Sequence, residues 1–321
     1  MTVVSRLRRR GGEQPMVPEA EFTSYYGRPV VKAAPWSTDV PAYLFLGGLA
    51  AASAVLGAGA DLTRRPQLRR VGRLGALGGI TLSFVALVHD LGKPARFVNM
   101  LRVAKPTSPM SIGTWILALF GPSAGLAGAA ELRHLLPRRL RWLACLLGAS
   151  GRPAGIAAAA VAPGVATYTA VLLADTATPT WHEAHRELPF VFAGSAASAA
   201  GGLGMLAAPL GEAAPARRMA LAGAVLELAF ELRMESSMGV AAEPLHQGRA
   251  GTLMRTSKAL TLAGAAATAL AARSRIAGVA AGAALLTGSA LTRFGIFEAG
   301  QASARDPKYT VVPQRERLSP P

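Results

Sequence analysis

The sequence predicts an all-α polytopic membrane protein, a bundle of eight transmembrane helices with both termini on the same side. Three observations predict it. Eight apolar stretches of roughly 20 residues divide the chain, the length that a rise of about 1.5 Å per residue needs to cross hydrocarbon. Of the 321 residues, 51% are hydrophobic and 16% charged, with mean hydropathy +0.32, whereas a soluble domain carries about a quarter charged residues. Ala, Gly and Leu dominate the apolar stretches, and small side chains let membrane helices approach closely where packing joins them.

Residues 1–35 read as a polar tail. Its arginines, Arg6, Arg8, Arg9 and Arg10, precede no apolar run, so no cleavable signal peptide is expected. Helix 1 is predicted at 40–60, ending at Asp61 before an Arg-rich turn with Arg64, Arg65, Arg69 and Arg70. Helix 2 follows at 74–91. A polar connection, 92–110, is too long for a simple helical turn and is expected to be ordered. Helix 3 is predicted at 111–132 and helix 4 at 154–174. The apolar run 142–148 is too short to cross, and Pro153 separates it from helix 4. Helices 5 to 8 are predicted at 188–210, 216–239, 252–272 and 276–299. Residues 301–321 are a second polar tail, leaving 36–300 as one transmembrane domain.

An even number of crossings puts the tails and the connections after helices 2, 4 and 6 on one side, here called the tail side. The four short connections opposite carry fourteen Arg or Lys, which favours tails facing outward. The net charge of +16 therefore points to anionic lipid and topology control. Without a basic recognition module, nucleic acid is excluded as a partner. A single cysteine, Cys145, excludes a disulfide framework and a thiolate-held cluster.

Ionisable and hydroxyl side chains congregate toward the tail side. Asp39 and Tyr43 stand four apart on one face of helix 1. His89 and Asp90 end helix 2, Tyr168 lies two turns before Asp175 in helix 4, and Arg293 and Glu298 occupy the last turns of helix 8. Helix 6 holds Glu227, Glu231, Arg233 and Glu235. Helix-end charges can simply mark the interface, and Glu227 and Glu231 can pair structurally with Arg233 or Arg293. The functional alternative is a proton pathway of Asp175, Glu227, Glu231, Glu235 and Arg293 leading toward a pocket, because charge inside a membrane is costly. Tyr, His and Asp at helix ends, backed by apolar helix, suit a quinone: two carbonyls need donors, and reduction needs protons.

Of five histidines, no two face each other across helices, so bis-histidine haem is not expected. His182 and His185, three apart, fit either a metal or, more simply, a solvated amphipathic turn. With no flavin motif or cluster ligands either, electrons must come from or go to a partner subunit.

Four stretches carry a family resemblance: PAYLFLGGL at 41–49, HDLGKPARF at 89–97, KPTSPMS at 105–111 and YTAVLL at 168–173. On these the chain resembles the NrfD/PsrC family, integral-membrane subunits of polysulfide reductase-like complexes; helices 6 to 8 match mainly in layout. The resemblance implies a cofactor-free, multi-pass subunit of the cell membrane that exchanges electrons with quinone, often menaquinone. It further implies a four-cluster ferredoxin-like iron–sulfur subunit and a molybdopterin oxidoreductase as partners. Carried over by position, the quinone-binding residues are Asp39, Tyr43 and Tyr168, with His89 and Asp90 adjacent. Some members have Asn and His at the helix-1 positions. The connection 92–110 becomes a docking surface in which Lys93, Arg96, Arg102 and Lys105 meet acidic patches; lipid phosphates are the alternative partners. Two rivals stand beside this reading: a proton or ion transporter using the helix-6 carboxylates, and a structural anchor with a vestigial quinone site.

Overall fold

Eight long helices follow one another in a computed structural model that describes residues 28–318, with no strand among the described residues. They are α1 (Asp39–Leu62), α2 (Pro66–Asp90), α3 (Pro109–Glu131), α4 (Arg141–Ala174), α5 (Leu188–Ala207), α6 (Ala214–Ser237), α7 (Gly248–Leu270) and α8 (Arg275–Arg305). A short α9 (Lys308–Leu318) follows. The arginine-rich start of the N-terminal tail lies outside the described residues. Six helices, α1 to α5 and α8, are long and apolar enough to cross a membrane. The charged and polar side chains of α6 and α7, among them Glu227, Glu231, Arg255 and Lys258, lower the hydropathy of those two.

Local chemistry sets the helix ends. Asp39 places a carboxylate in the first turn of α1, where the helix dipole favours negative charge. Pro66 and Pro109 open α2 and α3, positions where a missing N–H costs nothing. The Glu212 carboxylate accepts from the Gln67 and Leu68 backbone N–H groups at 2.8 and 3.0 Å, capping α2 from another loop. Ser274 Oγ caps α8 by accepting from Ala277 N–H.

Several expectations need correction. α2 begins at Pro66, not at 74, so Arg69 and Arg73 belong to helix rather than to a turn. They are accommodated because Asp61 and Glu131 pair with them. The run 142–148 is likewise not separated from helix 4: α4 is one 34-residue helix with Pro153 and Pro163 inside it. A proline removes one ladder bond, which neighbouring helices in a membrane bundle offset. The final helix also runs past 299 to Arg305, and the C-terminal tail contains α9.

Contacts at the bundle ends fix the alternation of helix direction. At one end Asp39 meets His89, Gln301 Nε2 donates to Ala34 O at 2.9 Å, and Thr180 Oγ1 donates to Ala241 O at 2.9 Å. At the other, Arg65 reaches Gly211 and Glu212, and Arg275 donates to the Met205 and Ala208 carbonyls. The segment before α1 thus meets the end of α8 through Ala34 and Gln301. Close backbone approach supports the packing: a Cβ on Gly72 would stand 2.5 Å from Gly57 Cα across the α1–α2 contact. Large apolar side chains such as Leu82, Val85, Leu119 and Leu232 face outward. On a membrane bundle that is the lipid-facing surface.

The expected clustering of ionisable groups at one end is incomplete. Asp61, Arg69, Arg73, Glu131 and Arg152 form an ion-pair cluster at the opposite end, with Arg73 only 6% exposed.

The connection after α2 is ordered, as expected. It holds a short helix, Phe97–Met100, whose Phe97 ring meets Phe84 edge-on at 4.6 Å. Ser111 Oγ donates to Val103 O, and Trp115 Nε1 donates to the same carbonyl at 3.2 Å. These bonds fold the segment back over the ends of α2 and α3.

Candidate functional site

The first turn of α1 and the last turn of α2 meet at the tail-side surface. His89 Nδ1 lies 2.7 Å from Asp39 Oδ2, so the ring carries its proton on that nitrogen. Ser37 joins the pair to Asp90: its Oγ lies 2.8 Å from Asp90 Oδ1 and 3.0 Å from Asp39 Oδ2. His89 is exposed and Asp39 and Asp90 are half-buried. This is a polar surface patch built from three of the five predicted pocket residues plus Ser37.

The other two lie beneath it. Tyr43, one turn into α1, is 4% exposed, and Tyr168 on α4 is 8% exposed. Both belong to the same apolar core. The Tyr168 hydroxyl is buried without a hydrogen-bond partner, an arrangement that normally demands an explanation. Its ring rests on Gly113 of α3, where any side chain would overlap it.

An apolar cavity of about 340 Å³ lies beside this region, between α2, the Phe97 segment and α3. Ile80, Phe84, Leu87, Phe97 and Leu117 line it, as does Thr114, the residue after Gly113. Neither this cavity nor the polar ones at the bundle ends is lined by Tyr43, His89 or Tyr168. The two tyrosine rings are packed into the core rather than facing these cavities.

A second polar array runs inward along α6, α7 and α8. At its outer end His246 Nε2 stands 3.8 Å from Glu235. Lys258 Nζ donates to Glu235 Oε1 at 2.6 Å and lies 3.6 Å from Glu231 Oε1. One turn deeper, Glu227 accepts from Thr292 Oγ1 at 2.8 Å, and Thr292 shares a 2.6 Å hydrogen bond with Ser257. Glu227, Glu231 and Arg293 are each 2% exposed or less. Arg293 attracts Glu227 without bonding to it; its Nη2 donates instead to Phe192 O at 2.7 Å, over the Phe192 ring. A methyl group on Gly48 of α1 would stand 3.4 Å from that same Nη2. Arg293 therefore carries the array across to the helix that bears Tyr43.

Glu235, Glu231, Glu227 and Arg293 are thus brought together, whereas Asp175 is not. It is exposed and lines a separate polar cavity with Thr176, His182, Tyr309 and Gln314. Arg233 turns outward to Glu187 at 3.6 Å rather than to the interior carboxylates. His182 and His185 sit with ring centroids 6.0 Å apart, each bonded through Nδ1 to a backbone carbonyl, and no group of three metal-ligating side chains occurs among the described residues. Lys93, Arg96, Arg102 and Lys105 all lie exposed on the connection between α2 and α3. Sequence reasoning missed Ser37, Ser257, Lys258 and Thr292. Lys258 carried a usable signal, a lysine within an otherwise apolar helix.

The fold and these two arrays define a polytopic helical membrane protein with buried ionisable groups reaching from one surface into the bundle. The profile of the family described as polysulphide reductase, NrfD, matches residues 30–231, well over half of the chain. The chain belongs to the NrfD family, whose members are membrane subunits associated with redox partners. No curated protein matches it.

Proposed function

We propose that this chain is the quinone-reactive membrane subunit of a multi-subunit oxidoreductase, and that all eight long helices cross the cell membrane with both termini on one side. The observation that carries the reading is the buried, unpartnered Tyr168 hydroxyl, in the same core as Tyr43, which lies one turn into the helix that Asp39 begins. A phenol O–H in an apolar setting is a donor awaiting a carbonyl acceptor, and His89, with Nδ1–H given to Asp39, offers a second donor from Nε2 when its ring is protonated. The apolar cavity beside Thr114 suits an isoprenoid tail, its volume lying within the usual range for ligand pockets. Reduction of a quinone, often menaquinone in this family, consumes two electrons and two protons. Electrons are exchanged with an external iron–sulfur subunit, itself served by a molybdopterin oxidoreductase, and this chain supplies no redox centre of its own. The partner docks against Lys93, Arg96, Arg102 and Lys105.

Protons reach the site by two routes in this proposal: from the surface through Asp39, His89 and Asp90, and from His246 through Glu235, Lys258, Glu231 and Glu227. The second route argues against a transporter. Beyond Glu227 and Arg293, α5 carries no ionisable side chain, α7 has none after Lys258, and α8 has none between Arg275 and Arg293. A conductive path would need polar groups there, because charge in hydrocarbon is costly. The array ends inside the bundle, which suits delivery to a buried reaction.

The test is quinone turnover by the complex purified from its native membranes. Tyr168→Phe and His89→Ala should each lower it by about 10²-fold, the usual scale for a lost proton donor. Unchanged turnover in both, with the complex intact, overturns the reading and leaves a structural anchor.

A further inference from the structure

At the end of the bundle opposite Asp39 and His89, a polar cavity of about 420 Å³ lies between α1, α2, α3 and the first turns of α4. Four guanidinium groups line it, from Arg69, Arg73, Arg133 and Arg152, against two carboxylates, Asp61 and Glu131. Both carboxylates are already engaged. Arg73 holds Glu131 at 2.9 Å and Asp61 at 3.2 Å, and Arg69 Nε holds Glu131 at 2.8 Å. The surplus positive charge belongs to Arg133 and Arg152. Among the described residues the Arg133 guanidinium makes no hydrogen bond or ion pair, and Arg152 comes only within 3.7 Å of Asp61.

The wall that faces these groups is bare. Gly148, Gly151 and Gly155 share one face of α4. A Cβ on Gly148 would overlap Arg133 Nη1 and stand 3.2 Å from its Cζ; one on Gly155 would stand 3.3 Å from Arg73 Nε. Arg73 Nε, buried in this wall, has no partner. The cavity opens at the membrane boundary, where the same turns of α4 expose Trp142 and Leu146, 62% and 57% accessible. Tryptophan at such a level marks the interface with lipid headgroups.

We propose that this cavity binds the phosphate group of an anionic phospholipid, held by the guanidinium groups of Arg133 and Arg152 with its acyl chains along Trp142 and Leu146. Guanidinium forks match phosphate oxygens two at a time. Free phosphate shares that chemistry but has no use for the exposed apolar flank. The site is independent of the quinone site and stands at the other membrane surface.

The experiment follows thermal unfolding of the purified protein in neutral-detergent micelles, titrated separately with phosphatidylglycerol, phosphatidylcholine and sodium phosphate. Phosphatidylglycerol should raise the midpoint saturably. The double variant Arg133→Gln/Arg152→Gln should raise the half-saturating concentration by about tenfold or more, since charge-assisted bonds to phosphate are the strong ones. Both side chains are solvent-accessible, so the fold should survive the change. A control of equal charge, Arg138→Gln/Arg139→Gln, removes two exposed arginines outside the cavity and should leave the titration unchanged. Three results overturn the proposal: equal weakening in the control, equal protection by phosphatidylcholine, or equal protection by sodium phosphate alone, which would assign the cavity to a free anion.

Discussion

Gly113 tests whether the position of the Tyr168 ring matters. A methyl group added there would stand 2.5 Å from Tyr168 Cδ2, and its overlap with Cε2 would be closer still. Carbon atoms pack at about 3.5–4.0 Å, so the ring must retreat by roughly 1 Å or more. Tyr168 is 8% exposed and packed in the core, leaving little free room for that movement. Overpacking of this kind costs about 1–3 kcal/mol of stability. If the hydroxyl serves the reaction, a displacement of about 1 Å also lowers turnover by up to 10²-fold. Gly113→Ala should therefore give a complex that assembles, melts a few degrees lower and turns over quinone about 10- to 100-fold more slowly. Gly125→Ala on the same helix is the control: nothing lies within 4 Å of its Cβ position, so it should be neutral or stabilising by up to about 1 kcal/mol. In a Tyr168→Ala background the methyl group has space, so adding Gly113→Ala should cost no further activity. Wild-type turnover by an intact Gly113→Ala complex would refute the reasoning.

The remaining predictions probe the polar clusters. Arg73→Met should cost about 3–5 kcal/mol in thermal unfolding, since it strips Asp61 and Glu131 of a shared buried partner; a wild-type midpoint would show that Arg69 suffices. Arg73→Lys should rescue little, because one ammonium cannot match a fork spanning two carboxylates. Thr292→Val removes the hydroxyl between Glu227 and Ser257 and should cost about 1–3 kcal/mol while slowing quinone turnover, with Thr292→Ser restoring both. Outside the membrane, the Glu243 carboxylate beside Lys308 holds its ammonium above the ordinary lysine range. A folded-state pKa raised this way supports the docked C-terminal helix below the unfolded lysine pKa of about 10.4 and loses that support as pH rises through the higher folded value. Protection from hydrogen exchange across 308–316, taken relative to the base-catalysed intrinsic rate, should fall in that alkaline window, and Lys308→Met should abolish that loss of protection.

Much of the architecture was legible because the helices are apolar and the ends are marked by Pro, Asp and Ser. The failures came where charge was read as loop. Arg69 and Arg73 look like turn residues until Asp61 and Glu131, which pair with them from elsewhere in the chain, are seen to neutralise them. Pro153 looked like a boundary because a lone helix breaks there, but a bundle supplies packing that a sequence window lacks. Asp39 and His89 were legible as helix-end polar groups, and their 2.7 Å contact follows from the antiparallel meeting of α1 and α2. Ser37 was not legible, since a serine before a helix is usually only a cap. Lys258 lies on α7, and only the packing of α6 on that helix shows that its amine joins Glu231 to Glu235. Asp175 neighbours Tyr168 in sequence but is the residue just past the last helical position, Ala174, so it sits at the exposed end of α4 rather than on the interior row.

The two ends of the bundle treat charge differently, and that difference bears on mechanism. At the Arg73 end, Asp61 and Glu131 are each paired with at least two guanidinium groups. That cluster locks α1, α2 and α3 together. In the interior array the carboxylates are under-supplied: Glu227 Oε2 and Glu231 Oε1 make no hydrogen bond, and two of the three Arg293 nitrogens have no partner. Incomplete pairing is the arrangement that leaves a carboxyl free to change protonation without dismantling the fold, because no strong ion pair must first be broken. The structure thus separates a rigid, saturated cluster from an unsaturated one that reaches toward α1 and Tyr43. Glu227→Gln keeps the shape but not the exchangeable proton, so it should depress quinone turnover while leaving the unfolding midpoint near wild type. Glu131→Gln should do the reverse, and the opposite assignment of these two effects would invert the argument.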